Sequence, residues 1–309
     1  MAQFLSQAPQ QIVNGLTLGS VYALIALGYS MVYGILQLLN FAHGDVYMVG
    51  AFIGFGVLTV FLPDAGPLLP AALVILLMLV AAMIGCGFLG VAIEWFAYRP
   101  LRNAPRIAPL ISALGMSILL QNSVQLTLTA QFRVYHTEKL IPISAGVDLG
   151  PAHLSLVRVL VIGSAIVMMV GLAYLVNRTR LGRAMRAVAL DREAAAMMGV
   201  NVDQVIVLTF FIGSALAGGS GVLTGLVFGR IWHTMGFNAG LKGFTAAVIG
   251  GIGNIPGAML GGLLIGLLEA FATGFISSTY SDVIVFVVLI LFLLVRPRGL
   301  LGATGAQKV

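Results

Sequence analysis

Long apolar segments separated by short polar joins run through the whole chain. A segment of about 20 apolar residues can cross the hydrocarbon core of a bilayer as a helix, and a helix satisfies its own backbone hydrogen bonds there. The apolar segments lie at residues 12–36, 46–62, 70–97, 109–130, 158–176, 203–229, 243–273 and 275–295. The pattern predicts an all-α polytopic membrane protein. We expect a single transmembrane domain over residues 1–309 with about 8–10 transmembrane helices, including broken or re-entrant segments.

The composition supports this assignment and bounds the chemistry. Of the 309 residues, 60% are hydrophobic and 8% are charged, whereas an ordinary soluble domain is about 25% charged. The single cysteine, Cys86, excludes an internal disulfide and a cysteine metal cluster. Residues 1–37 contain no Lys or Arg, which argues against a signal peptide. We therefore expect the first apolar segment to be a permanent span.

The net charge of +6 indicates topology rather than a surface for nucleic acid. Most basic residues lie directly beside apolar segments, which is the pattern of cytoplasmic loops under the positive-inside rule. They form three clusters: Arg99, Arg102 and Arg106; Arg178, Arg180, Arg183, Arg186 and Arg192; and Arg296, Arg298 and Lys308. We expect an external N-terminus, a cytoplasmic C-terminus and no nucleic-acid partner.

This topology requires an odd number of crossings after segment 203–229, because that segment leads outside and the C-terminus must return. Only two apolar segments follow it. Segment 243–273 is interrupted by Gly-Asn-Ile-Pro-Gly at residues 253–257, and Pro and Gly break helices. We therefore expect a re-entrant hairpin or two crossings in this segment.

A similar interruption lies near the start of the chain, at residues 40–45. Paired broken segments in two halves of a transporter point to a substrate path at a repeat interface, so we place Asn40 and Asn254 on a candidate path. His43 and Asp45 are too few ligands for a metal site. They suit either a proton relay or a structural role in which Asn40 and Asp45 cap a helix, and we favour the structural role.

Polar residues recur at every fourth position of segment 109–130, which places them on one helix face. They are Ser117, Gln121, Gln125 and Thr129. Polar groups are costly against lipid, so this face either lines a translocation path or makes hydrogen bonds between helices.

Small residues recur in the same way in segment 203–229, at Gly213, Ala217, Gly221, Gly225 and Gly229. That stripe predicts close helix packing.

The cytoplasmic loop 177–202 predicts a short helix over residues 192–198, with Asp191 as its N-cap and Gly199 as its C-cap. Its apolar surface would include Ala195, Met197 and Met198, and methionine adapts well to a partner surface. A short apolar helix in the cytosol is expected to lie in a groove of another protein. The alternative is a basic helix resting on anionic lipid.

The chain lacks the Gly-Lys-Ser or Gly-Lys-Thr of a phosphate-binding loop. We therefore expect a protein that is not an enzyme and that needs no cofactor of its own. The chain resembles the permease family of branched-chain amino-acid ABC importers. Four parts carry the resemblance: the runs 14–52, 182–202 and 240–271, and the terminal Arg-Pro-Arg-Gly-Leu-Leu-Gly.

This resemblance implies a second, related permease subunit, two cytoplasmic ATPase subunits that bind the ATP, and an extracytoplasmic solute-binding protein, all at a bacterial inner membrane. It also implies that loop 177–202 holds the coupling helix that docks on the ATPase. The residues expected to couple are Arg183, Arg186, Asp191, Glu193, Ala195, Met197, Met198 and Gly199.

The expected function is that of a permease subunit for branched-chain or related amino acids, working by alternating access. The family also includes members assigned to amides and urea, so the substrate stays open. The alternative is a secondary transporter driven by an ion gradient through Asp45, His43 or Glu269.

Overall fold

The computed structural model describes residues 2–62, 69–102, 104–105, 107–128, 130–142, 145–149 and 152–302. In these residues it contains eleven α-helices: α1 (Ala2–Leu36), α2 (His43–Phe61), α3 (Ala71–Ile93), α4 (Ile107–Thr127), α5 (Leu156–Arg178), α6 (Arg180–Leu190), α7 (Arg192–Met197), α8 (Val202–Phe228), α9 (Met235–Gly250), α10 (Ile255–Phe275) and α11 (Ser281–Val295). The predicted basic residues Arg106 and Lys308 and the polar residue Thr129 lie outside the described residues.

Shorter elements connect these helices. A π-helical turn, Glu94–Tyr98, and a 3-10 turn, Arg99–Leu101, extend α3, and a second 3-10 turn spans Thr137–Lys139. Four short strands, β1 (Arg133–Val134), β2 (Gly146–Leu149), β3 (Ala152–Ser155) and β4 (Arg230–Ile231), pair as β1 with β4 and β2 with β3, both antiparallel. These strands join loops at one end of the helix bundle.

The all-α membrane architecture predicted from the sequence is confirmed. In the part of the chain that the structure describes, seven helices are long and apolar enough to cross a membrane. These seven candidate spans begin within α1, α2, α3, α4, α5, α8 and α10. Helix α11 is apolar but shorter. We call the end of the bundle that carries α6 and α7 the loop end, and the opposite end, with β1 and β4, the strand end.

Two helices form the centre of the bundle. Every residue of α8 from Gly213 to Leu226 is buried, which confirms the close packing predicted from its small residues. Helix α1 runs antiparallel to α10, and the two backbones nearly touch. A Cβ atom on Gly15 or Gly19 would lie only 2.8 Å from the Cα atoms of Leu267 and Leu263. Glycine is needed here because any side chain would separate the helices.

The predicted break after residue 250 is present and resolves the parity problem. Segment 243–273 divides into α9 and α10, so three helices follow α8. Gly251 and Gly253 adopt positive φ angles of 103° and 87°, which side chains disfavour. The Asn254 side chain then caps α10 by accepting a hydrogen bond from the Gly257 amide at 3.0 Å. The predicted interruption is therefore confirmed, and of the two helices that it separates only α10 is among those long and apolar enough to cross a membrane.

The break between α1 and α2 leads the chain back into the bundle. Helix α1 ends at Leu36, yet the His43 ring at the start of α2 packs against Gly28, which lies eight residues before the end of α1. Eight residues of helix span about 12 Å. Gly44 also packs against Gly236 and Gly240 of α9. The N-termini of α2 and α9 thus meet inside the protein.

Candidate functional site

Asp45 connects α2 to α4 in the protein interior. Its carboxylate accepts hydrogen bonds from Ser117 Oγ at 2.5 Å and from Gln121 Nε2 at 3.0 Å, and the residue is only 1% exposed. The structure therefore brings together three residues of the predicted path. The expected capping role is wrong, because the residue at the N-cap of α2 is Ala42 and no side chain among the described residues caps this helix.

Asn40 and His43 lie on either side of the same helix start. The Tyr98 hydroxyl is 3.1 Å from the Leu39 carbonyl oxygen and 3.2 Å from Oδ1 of Asn40. The His43 ring meets Tyr29 edge-on with 4.7 Å between ring centroids. The ring is buried and fills the space beside Gly28 of α1. The structure therefore gives His43 a packing position between α1 and α2, and its part in a proton relay stays a prediction.

Helix α4 sits at the edge of the bundle and carries polar groups outward. It packs mainly against α2 and the π-helical turn. Ser117 faces inward, whereas Gln125 and Asn122 are exposed and do not join the Asp45 cluster. Polar side chains on a spanning helix are costly against lipid and usually face protein or water. This face of α4 therefore suits contact with another subunit or with a wet path.

Asn254 does not join these residues. Its amide nitrogen donates to the Leu301 carbonyl at 2.7 Å, next to two bonds from Leu300 N to Ile249 O and from Leu301 N to Gly250 O. The chain after α11 is thereby held against the turn between α9 and α10. The start of α2 packs against the start of α9 instead, so the structure does not bring Asn40 and Asn254 together, and the internal repeat stays a hypothesis.

The short helix predicted in loop 177–202 exists as α7. Asp191 accepts hydrogen bonds from the amides of Glu193 at 3.0 Å and Ala194 at 3.1 Å, so its N-cap role is confirmed. Gly199 follows the helix with a φ of 82°, the left-handed conformation that favours glycine after a helix end. The helix ends at Met197, one residue before the prediction.

The exposed surface of this loop carries large apolar side chains and differs from the prediction at two residues. Met197 and Met198 are 82% and 85% exposed, and Leu190, which the sequence analysis missed, is 83% exposed. Ala195 is buried at 5% exposure and packs inward, so its assignment to the outer surface is wrong. Arg183 and Glu193 are exposed, while the Arg186 guanidinium donates to the Val176 carbonyl at the end of α5.

Two ion-pair groups were not found from the sequence. Arg102 pairs with both Glu94 and Asp203, which joins the end of α3 to the start of α8. Lys242 pairs with Glu269 and Asp282, each at 2.7 Å, so Glu269 has the partner that the sequence analysis did not supply. Glu94 lies only eight residues before Arg102, whereas Asp203 and the partners of Lys242 are distant in sequence and share no motif, so no local signal could have paired those.

A bundle of membrane-spanning helices in which α2 and α9 begin in the interior, beside buried polar groups, is the architecture of a membrane transport protein. The comparison with known proteins agrees. The family model described as branched-chain amino acid transport system, permease component, matches residues 11–293. The chain therefore belongs to the branched-chain amino acid transport permease family, and it is a multi-pass membrane protein.

Full-length relatives are similar over almost the whole chain. The high-affinity branched-chain amino acid transport system permease protein BraD of Pseudomonas aeruginosa is 46% identical over 303 residues, which is 97% of each chain. The corresponding permease protein LivH is 45% identical over 314 residues in Escherichia coli K12 and in Salmonella typhimurium, again with 97% of each chain covered.

Proposed function

We propose that this protein is a permease subunit of an ATP-driven importer for branched-chain or related amino acids. The observation that carries the proposal is the exposed apolar surface formed by Leu190, Met197 and Met198 on the capped loop 177–202. Large apolar side chains exposed outside the membrane mark an interaction site. The names of the similar permeases supply the substrate class.

In this proposal α7 is the coupling helix that docks on an ATPase subunit. Leu190, Met197 and Met198 insert into a groove of that subunit, as a helix does when it presents apolar anchors. Exposed Arg183, Asp191 and Glu193 surround the anchors and set orientation. Ala195 packs against the inner side of the loop, while Gly199 ends α7 and Arg186 bonds the end of α5, so that these three residues hold the loop in shape. ATP is bound by the partner subunits, and this chain needs no cofactor.

The substrate path runs along α4, at the interface with a second, related permease subunit. Exposed Gln125 and Asn122 face that path, and Asp45, Ser117 and Gln121 anchor the helix from behind. His43 and Asn40 lie at the same α2 start. Alternating access follows if α4 moves relative to the bundle, because most of its surface has no neighbour among the described residues. Asn254 belongs to the loop end instead.

The loop end faces the cytoplasm, together with the C-terminus, in a bacterial inner membrane. At the opposite side an extracytoplasmic solute-binding protein delivers the amino acid. A transporter driven by an ion gradient is the competing proposal. It has less support, because Lys242 neutralises Glu269, and an exposed apolar helix in the cytosol has no role in it.

The test replaces Met197 and Met198 together by Asp. We expect the protein to reach the membrane, while copurified ATPase subunits and ATP-driven leucine uptake fall to background, because two charges cannot enter an apolar groove. The matched control replaces the same residues by Leu, which preserves apolar volume and uptake. Normal uptake in the Asp variant would remove the docking assignment. Leucine uptake that follows an ion gradient without ATP would support the competing transporter.

A further inference from the structure

The end of α1 is completed by an arginine from the proposed coupling region. A helix leaves its last four carbonyls without partners inside the helix, which for α1 are those of residues 33–36. The Tyr33 carbonyl accepts from the Gln37 amide at 2.7 Å. The Ile35 carbonyl accepts from Nη2 of Arg192 at 2.7 Å. A guanidinium also suits the negative end of the helix dipole, so Arg192 caps a helix that lies 157 residues away in sequence.

Arg192 is the first residue of α7, directly after the cap Asp191. A displacement of α7 therefore moves the Arg192 guanidinium directly. Burial, and then the charge of Arg102, lower the pKa of Arg192 from its usual value. A guanidinium stays protonated in proteins, so a charge is held in a partly buried position. The bond to the Ile35 carbonyl gives that charge one of its hydrogen-bond partners.

The segment that follows α1, Gln37–Asn40, is held at both ends, and between them Leu38 packs against the hydrophobic core on one side. Gln37 has a φ of 53°, a conformation that non-glycine residues rarely adopt. At the other end the Tyr98 hydroxyl donates to the Leu39 carbonyl at 3.1 Å. A cavity of about 310 Å³ lies beside the segment, lined in part by Gln37, Leu38, Leu190 and Arg192. The segment therefore has room to move on the side of this cavity when one end is displaced.

Beyond this segment the bonds continue into the proposed path. The His43 amide donates to the Asn40 carbonyl at 3.1 Å, at the start of α2. Two residues further on, in the same first turn of α2, Asp45 accepts hydrogen bonds from Ser117 and Gln121 of α4. A continuous series of contacts thus joins α7 to α4. One site can influence another when such a network has two discrete arrangements, and a measured coupling between the sites is the evidence for it.

We propose that Arg192 is a positioning residue that transmits movement of α7 through segment Gln37–Asn40 to α2 and α4. This inference rests on the proposed function, because it assumes that an ATPase moves α7. Arg192 does not contact the substrate in this scheme. Its bond to the Ile35 carbonyl makes the end of α1 follow the coupling helix, so that α4 moves when ATP is bound or hydrolysed.

The test uses the complete importer, with both permeases, both ATPases and the solute-binding protein, in proteoliposomes. Arg192→Met removes the donors and keeps an unbranched side chain. We expect ATPase subunits to copurify in normal amounts and ATP hydrolysis to continue. Leucine uptake per ATP hydrolysed falls about tenfold or more, the size expected from losing one charge-assisted hydrogen bond. Arg192→Lys, which can still donate to the carbonyl, restores part of the ratio.

The matched control is Arg180→Met, in the same loop, because Arg180 is exposed at the start of α6. It leaves the ratio of uptake to hydrolysis unchanged. A merely structural role of Arg192 would lower protein yield and ATPase association while the ratio stayed at the wild-type value, and that result overturns the inference. If the wild-type complex itself shows no ATP-driven uptake, the proposed function falls too. If the wild type couples and Arg192→Met couples equally well, only the inference falls.

Discussion

At the scale of single residues, Lys242 is the charge on which the packing of three helices depends. It is nearly buried in α9 and pairs with Glu269 of α10 and Asp282 at the start of α11. Glu269 is also mostly buried, whereas Asp282 is half exposed. Removing one partner of a buried ion pair leaves an uncompensated charge, which costs far more than the pair contributes when intact.

We predict that Lys242→Met destabilises the protein by about 3 kcal/mol. The measurement is the thermal unfolding midpoint of the purified protein in detergent, which should fall. The control is the double variant Lys242→Met with Glu269→Gln, in which the buried carboxylate is neutralised as well. It should recover most of the lost stability. An unchanged midpoint in Lys242→Met would mean that Glu269 is solvated in the membrane protein.

At the scale of elements, α8 is the helix around which α1, α2 and α3 pack, and its small residues make that possible. Gly221 faces the backbone of α2, where a Cβ atom would lie 2.8 Å from the Ala51 nitrogen. Gly218 faces α3 instead, with a Cβ position 2.7 Å from Cβ of Cys86. Two faces of one helix are therefore in backbone contact, which leaves no direction in which α8 could shift to make room.

We predict that Gly221→Leu greatly reduces the yield of folded protein, because a large side chain would force α2 away from α8. Yield and monodispersity after detergent extraction measure the effect. Gly163→Leu, in α5, is the matched control, since a Cβ there meets nothing within 4 Å among the described residues. Comparable yields for the two variants would contradict the packing described for α8.

At the scale of the whole molecule, the course of the last three helices decides on which side the C-terminus lies. Helices α9, α10 and α11 return the chain to the loop end, where Leu300 and Leu301 bond the end of α9. Gly253 lies there too, close to Gly34 near the end of α1. The C-terminal segment and loop 177–202 are thus at the same side of the bundle.

This arrangement predicts that Leu301→Cys is not labelled by an impermeant maleimide in intact spheroplasts and is labelled in inverted vesicles. The native thiol does not interfere, because Cys86 is buried. His136→Cys, in the exposed segment at the strand end, serves as the opposite control and reacts in intact spheroplasts. Labelling of both positions from the same side would overturn the topology.

Features with a local cause could be predicted from the sequence. The caps at Asp191 and Gly199, the small residues of α8 and the break after residue 250 each depend on a few neighbouring residues, and all three are present. The pairing of Lys242 with Glu269 and the bonds from Asp45 to α4 could not be predicted. They depend on which distant helices pack together. The sequence around a buried acidic residue does not show whether its carboxylate caps its own helix or bonds a side chain of another helix.

The sequence by itself determined the membrane class, the helical architecture and the caps of α7, because lipid and local backbone geometry impose those constraints on each segment separately. Only the tertiary structure decided that Asp45 anchors α4, that Ala195 packs inward and that Arg192 completes α1. These outcomes depend on contacts between segments up to 157 residues apart. The physical reason is that a polar group in the bundle must find a partner, and which one is within reach is set by helix packing rather than by sequence neighbours.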